Sequence, residues 1–506
     1  MFPMTNSRYG FPPHILCILL ALCAFPGRAG GAEAAALSIG DAVRIAIERN
    51  LGLRAAAHGP AISETDIRKA RSIYDPSLSF LLDHRGSNLQ AAPQSFFVDR
   101  SRSFDFDASL SQLLPTGATA SASFTNLWYK DNLDLPGSRF AQPELTLSFS
   151  QPLLKGFGKD VTERSITTAE DAMDSALADW NQQALGTAAA ARNQYLALVK
   201  ARESLATRRA SLALARQVHA ENEGRVKAGV LAAYQLQDSM LGVLRRHKEL
   251  LDAERAEKDA ADQLRVTLHM LPGTPIETTE TAAPEPFGHS EDDALRTALS
   301  RRPDLVKARV AVRTAEFNER VSGNLVLPSL ALEGAAGLTG LDTDYGNAFD
   351  DMRGGRYPTW SVGLRFSYPL GNRFARADLA ASRLKASQAR TQLSAAEESA
   401  GLEVRAALRA VETQREQIPV TTQGVTAADT LLASYLKRQQ LGLATTKDLL
   451  DVEAGATQAR ENDIAARADY QAALTDLWRA TGELLDRQGI RLDGNASISG
   501  IRKETP

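Results

Sequence analysis

Four stretches of the chain alternate apolar and polar residues with a period of two. Phe104, Phe106, Ala108 and Leu110 interleave with Asp105, Asp107, Ser109 and Ser111. Ala118, Ala120, Ala122 and Phe124 interleave with Thr119, Ser121, Ser123 and Thr125. Leu145, Leu147 and Phe149 alternate with Thr146, Ser148 and Ser150, and Trp360, Val362, Leu364 and Phe366 with Ser361, Gly363, Arg365 and Ser367. This pattern predicts strands with one apolar face. The polar face suits either an antiparallel sheet with one solvated side or a membrane barrel with a wet lumen. Trp128, Tyr129, Phe140 and Trp360 gather at strand ends, as an interfacial girdle does. A tight 114–117 linker also contrasts with long polar segments at 87–101 and 130–142. Short turns on one side and long loops on the other favour the barrel.

Elsewhere the period changes. Residues 157–227 contain no proline, and Leu198, Leu205 and Leu212 recur every seven residues. Val404, Val411, Ile418, Val425 and Leu432 do the same. Such heptads predict long, closely packed helices of coiled-coil type. Pro419 interrupts the second run and is expected to kink or locally open its helix. A 68-residue helix spans about 100 Å at 1.5 Å per residue, roughly the sum of the two shorter helices predicted in each half. Each half should therefore give one continuous rod beside one composite rod.

These patterns occur twice. Residues 41–80 align with 293–332 without a gap, with 12 identities in 40 positions, among them Asp41/Asp293, Arg44/Arg296 and Pro76-Ser77-Leu78/Pro328-Ser329-Leu330. A tandem duplication of this length predicts two like-folded halves packed side by side. The first repeat is placed at 33–270, with strands about 76–152 and a helical hairpin about 157–270. A Pro- and Thr-rich linker follows at 271–290. The second repeat is 291–486, with strands about 328–370 and a hairpin about 372–485, and 487–506 reads as a flexible tail. The opening helices are expected at about 38–72 and 291–322. The offset falls from 252 at Pro76 to 217 at Pro152, so the first half carries 35 extra residues, read as one additional hairpin near 102–128.

The N-terminus changes the cellular setting. Residues 1–32 read as a secretory signal: Arg8, then an apolar run from Ile15 to Phe25 too short to span a bilayer, then small residues at Ala29 to Ala32. Both cysteines, Cys17 and Cys23, lie within it. Cys23 is a candidate lipidation site, although Leu22 before it is bulkier than the usual small residue. Removing the segment takes two arginines and leaves 56 basic against 61 acidic residues, a net charge of −5 that argues against nucleic acid as a partner. No later segment offers the 18 consecutive apolar residues of a transmembrane helix, so membrane entry would be by strands.

Catalytic and metal-binding patterns do not emerge. The seven histidines are scattered, and no nucleophile elbow, phosphate loop or zinc motif is present. No cofactor is expected. Gly156-Phe157-Gly158 reads as a tight corner between strand and helix. The informative motif is the helical turn, "RVKAGVLAAYQLQDSM" at 225–240 and "RQQLGLATTKDLLDVE" at 438–453. Each copy puts Gly at the end of a long helix, where a left-handed residue satisfies the last carbonyls. Thr445 or Thr446 can cap the next helix, with Asp448 in its first turn; Ala232 and Ala233 give the first copy no such cap. Asp448 and Asp451 share a helix face. They are either dipole-stabilising surface charges or part of a site.

Together these features resemble the TolC-like outer-membrane efflux proteins. The residues that carry the resemblance are Arg302-Pro303-Asp304-Leu305, Leu327-Pro328-Ser329-Leu330, Gln151-Pro152-Leu153-Leu154 and Gly442-Leu443-Ala444-Thr445. The resemblance implies an α+β membrane protein. It would be a homotrimer whose strands form one outer-membrane β-barrel in lipid, and whose helices form a tube through the periplasm. The implied function is a passive exit duct, coupled to an inner-membrane pump through a periplasmic adaptor protein, with the cargo chosen by the pump. Gly229, Val230, Leu231, Gly442, Leu443, Ala444 and Thr445 would be the adaptor-docking tips, and Asp448 and Asp451 the pore constriction. Two departures stand out: Ala444 occupies a position where some members carry an arginine, and the extra hairpin exceeds four strands per protomer. A periplasmic coiled-coil adaptor or scaffold is the competing class.

Overall fold

The computed structural model describes residues 35–88, 98, 100–133, 135–279, 288, 290–492 and 501–503. The expected signal segment and both cysteines lie outside these residues. The first repeat runs β1 (Ala35–Leu37), α1 (Ile39–Arg49), α2 (Leu51–Ala56), α3 (His58–Arg71), β2 (Ser77–Asn88), β3 (Arg100–Leu113), β4 (Thr119–Asp131), β5 (Arg139–Pro152), α4 (Lys159–Thr162), α5 (Arg164–Lys227) and α6 (Ala233–Thr267). After β6 (Ile276–Thr278) the second runs α7 (Glu291–Arg301), α8 (Pro303–Leu325), β7 (Ser329–Thr339), α9 (Tyr345–Arg353), β8 (Tyr357–Ser367), α10 (Arg373–Gln440) and α11 (Thr446–Thr481). The chain closes with α12 (Leu484–Arg487), β9 (Ile490–Leu492) and β10 (Ile501–Lys503).

The opening helix of each repeat is broken rather than continuous, and at equivalent points. In the first copy Asn50 leaves the helix, and its side chain accepts from the Leu53 amide to start α2. In the second, Pro303 begins α8 directly after Arg302 takes extended geometry. Proline has no amide to donate and suits this first position. Arg302 there donates to Asp304, to Glu403 and to the Ala480 carbonyl, fastening the break to α10 and α11.

The helices form one layer of four rods. α5 touches α3 and α6 on one side and α8 and α11 on the other, and α10 completes the row against α8 and α11. The heptad residues fill the seams: Leu198, Leu205, Leu212, Val404, Val411 and Leu432 are all buried. Polar ties cross them. Asp171 accepts from Arg313 and Thr314 between α5 and α8. Buried Arg192 donates to Gln471 and Thr475 between α5 and α11, and lies 4.7 Å from the Trp478 ring. α10 is continuous through Pro419, so of the kink or local opening expected there, the helix does not open into a break. Just past it, the Thr421 and Thr422 hydroxyls bind Asp463 of α11, pinning the helix where the ladder loses a donor.

All six long strands join one antiparallel sheet in the order β2-β3-β4-β5-β7-β8. The extra hairpin is therefore inserted within the sheet. Register places Leu78, Phe80, Leu82, Phe104, Phe106, Leu110, Phe124, Leu145, Leu147, Phe149, Leu332, Val362, Leu364 and Phe366 on one face. Ser77, Ser79, Asp105, Asp107, Ser121, Ser148, Glu333 and Arg365 occupy the other. The edges stack as the chain dictates: β2 follows the outermost rod, and β8 leads into α10 at the opposite flank. The 114–117 turn closes at the helical end, where the Leu114 amide meets the Ala118 carbonyl at 2.7 Å. Gly117 is obligatory there, since a Cβ would sit 2.5 Å from the Gly156 carbonyl. Gly156 and Gly158 both have positive φ and make the expected corner.

Three elements were not foreseen. β6, inside the linker, pairs in parallel with β1. The 484–492 segment packs through buried Leu484, Leu485 and Ile490, and β9 pairs antiparallel with β10, so two parts of the stretch read as a flexible tail form a small ladder. α9 interrupts the second strand region and lies on the apolar face of the sheet, with Tyr345 stacked 5.1 Å from Trp128 and Phe349 edge-on to Phe124.

Candidate functional site: the helical tips

At the end remote from the sheet, both hairpins turn through the same device. The Val230 and Leu443 amides reach back to the Arg225 and Arg438 carbonyls, at 2.9 and 2.8 Å. The Gly229 and Gly442 amides close the inner bonds to Val226 and Gln439. This bonding requires a left-handed residue, and the two glycines have φ of 71° and 74°.

The second tip is the better capped. The Asp448 amide donates to the Thr445 hydroxyl at 3.1 Å, and the Thr445 amide donates to the Asp448 carboxylate at 3.0 Å, a complete capping box. The Thr445 hydroxyl and then its amide hold the Asp448 carboxyl below its ordinary value. The first tip has no side-chain cap at Ala232, as expected. The tips are lashed together by Arg225, which donates to the Gln439 and Gln440 carbonyls, and by Asn222, which donates to the Thr446 hydroxyl at 2.9 Å. Val218, Leu432, Leu449 and Ala456 form a small core behind them.

The predicted tip residues divide by role. Val230, Leu443 and neighbouring Leu441 are about three-quarters exposed and Tyr234 two-thirds, while Leu231 and Ala444 are half-buried. The result is an apolar knob at each turn. Asp448 is exposed but engaged by its cap. Asp451 is exposed, and nothing among the described residues pairs with it. Two turns from the cap lies Glu453, which no sequence pattern singled out. This carboxylate is 3% exposed and accepts from Arg246 at 2.7 Å, from Thr457 and from Ser211. Arg246 is itself buried and also donates to the Leu450 carbonyl. Glu453 thus joins α11 to both helices of the first hairpin.

Duplicated helical hairpins, a shared six-stranded sheet with one apolar face and exposed apolar tips define the architecture. Residues 294–483 match the model of the outer membrane efflux protein family. The chain is 24% identical over 243 residues to the outer membrane efflux protein BepC of Brucella suis biovar 1. That match covers 48% of this chain and 52% of BepC, so the chain spans about half the length of this curated relative. Solved outer-membrane proteins share the fold across 88% of the chain. They include the Campylobacter jejuni CmeC outer membrane channel, 17% identical with 85% of its chain covered and a TM-score of 0.62. VceC from Vibrio cholerae is 17% identical, with 96% covered and a TM-score of 0.64. The outer-membrane channel OprN is 17% identical, with 90% covered and a TM-score of 0.66. The TolC-like resemblance read from the sequence is borne out, and the chain has the α+β fold of these outer-membrane channels.

Proposed function

We propose that this protein is the outer-membrane exit channel of a tripartite efflux or type I secretion system. It acts passively and is not an enzyme. The observation that carries the reading is the sheet with two free edges. Both β2 and β8 expose their apolar residues, Leu78, Phe80 and Leu82 on one edge and Trp360, Val362, Leu364 and Phe366 on the other. Unpaired edges are intolerable in hydrocarbon, so each edge pairs with another copy until the sheet closes. Three copies would close a barrel of eighteen strands, with the Ser- and Asp-rich face turned to the lumen and the helices reaching into the periplasm.

The apolar tips at Gly229, Val230, Leu231 and Gly442, Leu443, Ala444, Thr445 are the docking points for a periplasmic adaptor, which links the channel to an inner-membrane pump. Asp451 from each copy converges on the axis as a constriction, with Asp448 one turn away. A ring of three carboxylates attracts cations and repels anions. A periplasmic scaffold would have no use for an extensive exposed apolar sheet face, so the channel reading is favoured. The test is extraction from outer membranes with mild detergent, followed by mass measurement and planar-bilayer recording. A trimer with discrete conductance is expected; a stable monodisperse monomer refutes the reading.

A further inference from the structure

The inserted hairpin carries charge in an unusual place. Lys130 of β4 is directly opposite Arg102 of β3 on one side and Arg139 of β5 on the other. Arg100 lies two residues from Arg102, on the same face. This register continues that of Phe104, Trp128 and Ala141, so all four cations stand on the apolar face, not the Ser- and Asp-rich one. All four are exposed. None of them pairs with a carboxylate among the described residues. Like charges on directly opposed strand positions repel. A row of them on a face otherwise given to Phe, Leu and Trp calls for an anion from outside the chain.

Two features fix the level of this row. It lies at the end of the sheet remote from the helices, where β3 begins, β4 ends and β5 begins. It also flanks α9, which buries Tyr345, Ala348, Phe349 and Met352 on the sheet and turns Asn347, Asp350 and Arg353 outward. A helix with that outward face does not sit in hydrocarbon; it marks the polar side of the boundary. Between the strands and the start of α9 is an open groove of about 410 Å³, lined by Arg102, Lys130, Arg139, His84, Trp128 and Tyr345. Asp344 borders it too, but its carboxylate is taken by the Gly346 and Asn347 amides. Across three strands the row spans about 10 Å, enough to grip two phosphates.

We propose that Arg100, Arg102, Lys130 and Arg139 form a binding site for a phosphorylated lipid of the outer leaflet. Its phosphates seat on the basic row, and its acyl chains reach down the apolar face past the level of α9 to the exposed Leu110 and Leu147. The site rests on the channel reading, which turns this face to lipid. It belongs mainly to the extra hairpin: three of its four cations are on β3 and β4. Guanidinium groups suit phosphate because they donate in a planar fork.

The test uses the full-length protein purified in detergent. Native mass spectrometry titrates it with a bis-phosphorylated glucosamine-disaccharide lipid, the same lipid without phosphates, and inorganic phosphate. The Arg102→Ser/Lys130→Ser/Arg139→Ser variant should bind the bis-phosphorylated lipid on the order of a hundredfold more weakly. A control that removes two cations from the opposite face, Arg85→Gln/Arg365→Gln, should bind as the wild type does. Binding by the unaltered protein should also weaken steeply with added salt, a readout that needs no variant to fold. Equal binding by the triple variant, equal binding of the phosphate-free lipid, or displacement of the lipid by millimolar inorganic phosphate each overturns the proposal. Bilayer recordings of the same preparations separate the two readings. Unchanged conductance in a triple variant that has lost the lipid supports both, and no conductance from wild-type protein overturns both.

Discussion

Replacing Glu453 by Ala should loosen the junction between the two hairpins far more than the loss of one side chain suggests. The carboxylate is 3% exposed and the Arg246 side chain 6%. Glu453 accepts two bonds from the guanidinium at 2.7 and 2.8 Å, with further bonds from Thr457 and Ser211. Removing it leaves Arg246 with the Leu450 carbonyl at 3.3 Å and the half-exposed Glu249 at 3.4 Å. A buried guanidinium left with so weak a set of partners costs up to about 3–5 kcal/mol, whereas replacing both partners with apolar residues is often neutral. Hydrogen exchange is a suitable assay because it reads local opening. Amides of 446–460 and of the facing 205–215 segment should exchange a hundredfold or more faster in Glu453→Ala. Glu453→Leu/Arg246→Met should recover most of the protection. The reasoning is refuted if Glu453→Ala exchanges within about threefold of wild type, a loss under 1 kcal/mol, or if the double variant is no better than the single.

Asp451→Ala should raise single-channel conductance and lower cation selectivity without changing the mass of the assembly; unchanged recordings would make Asp451 a surface charge. Gly442→Val should distort the second tip, because a β-branched residue resists a φ of 74°, and should weaken capture of the proposed adaptor without changing the mass of the assembly. Because the Thr445 bonds lower the Asp448 pKa in the folded state, the cap contributes fully above the ordinary value of 3.8 and is lost as pH falls through the lowered one. Protection of the first turn of α11, corrected for intrinsic exchange, should therefore fall as the pH drops below 3.8, with no such fall in Asp448→Ala. Cysteines placed at Asn132 and Thr116 should separate on intact cells, with only Asn132 labelled by an impermeant reagent; labelling of both would refute a topology with 130–142 outside the cell and the 114–117 turn in the periplasm.

The repeat, the strand faces and the helix-turn glycines were legible because each follows a local rule. Period two fixed the faces of β3, β4, β5 and β8, and positive φ at Gly229 and Gly442 follows from the helix ends. The 35-residue surplus showed room for one more hairpin but not where it goes; only its pairing with β2 on one side and β5 on the other puts it inside the sheet. The break at Asn50 was not legible, because the apolar pattern continues across it and only a capping bond distinguishes it. α9 escaped notice for another reason. Its nine residues match no long period, and its stability comes from Trp128 and Phe124, more than two hundred positions away. Glu453 was hidden by the same distance, since nothing near it in sequence reveals Arg246 or Ser211.

The inserted hairpin also bears on how the sheet meets the helices. Four rods packed at about 9 Å make a layer roughly 36 Å across. Six strands about 4.8 Å apart and tilted near 40° cover about 38 Å of a barrel wall. Four strands at the same tilt would cover only about 25 Å. With β3 and β4 in place, the two layers of one subunit subtend nearly the same arc. In the proposed trimer the bore would then pass from sheet to helices at constant width, without a funnel at the membrane surface, and each strand edge would stay above the rod that continues it.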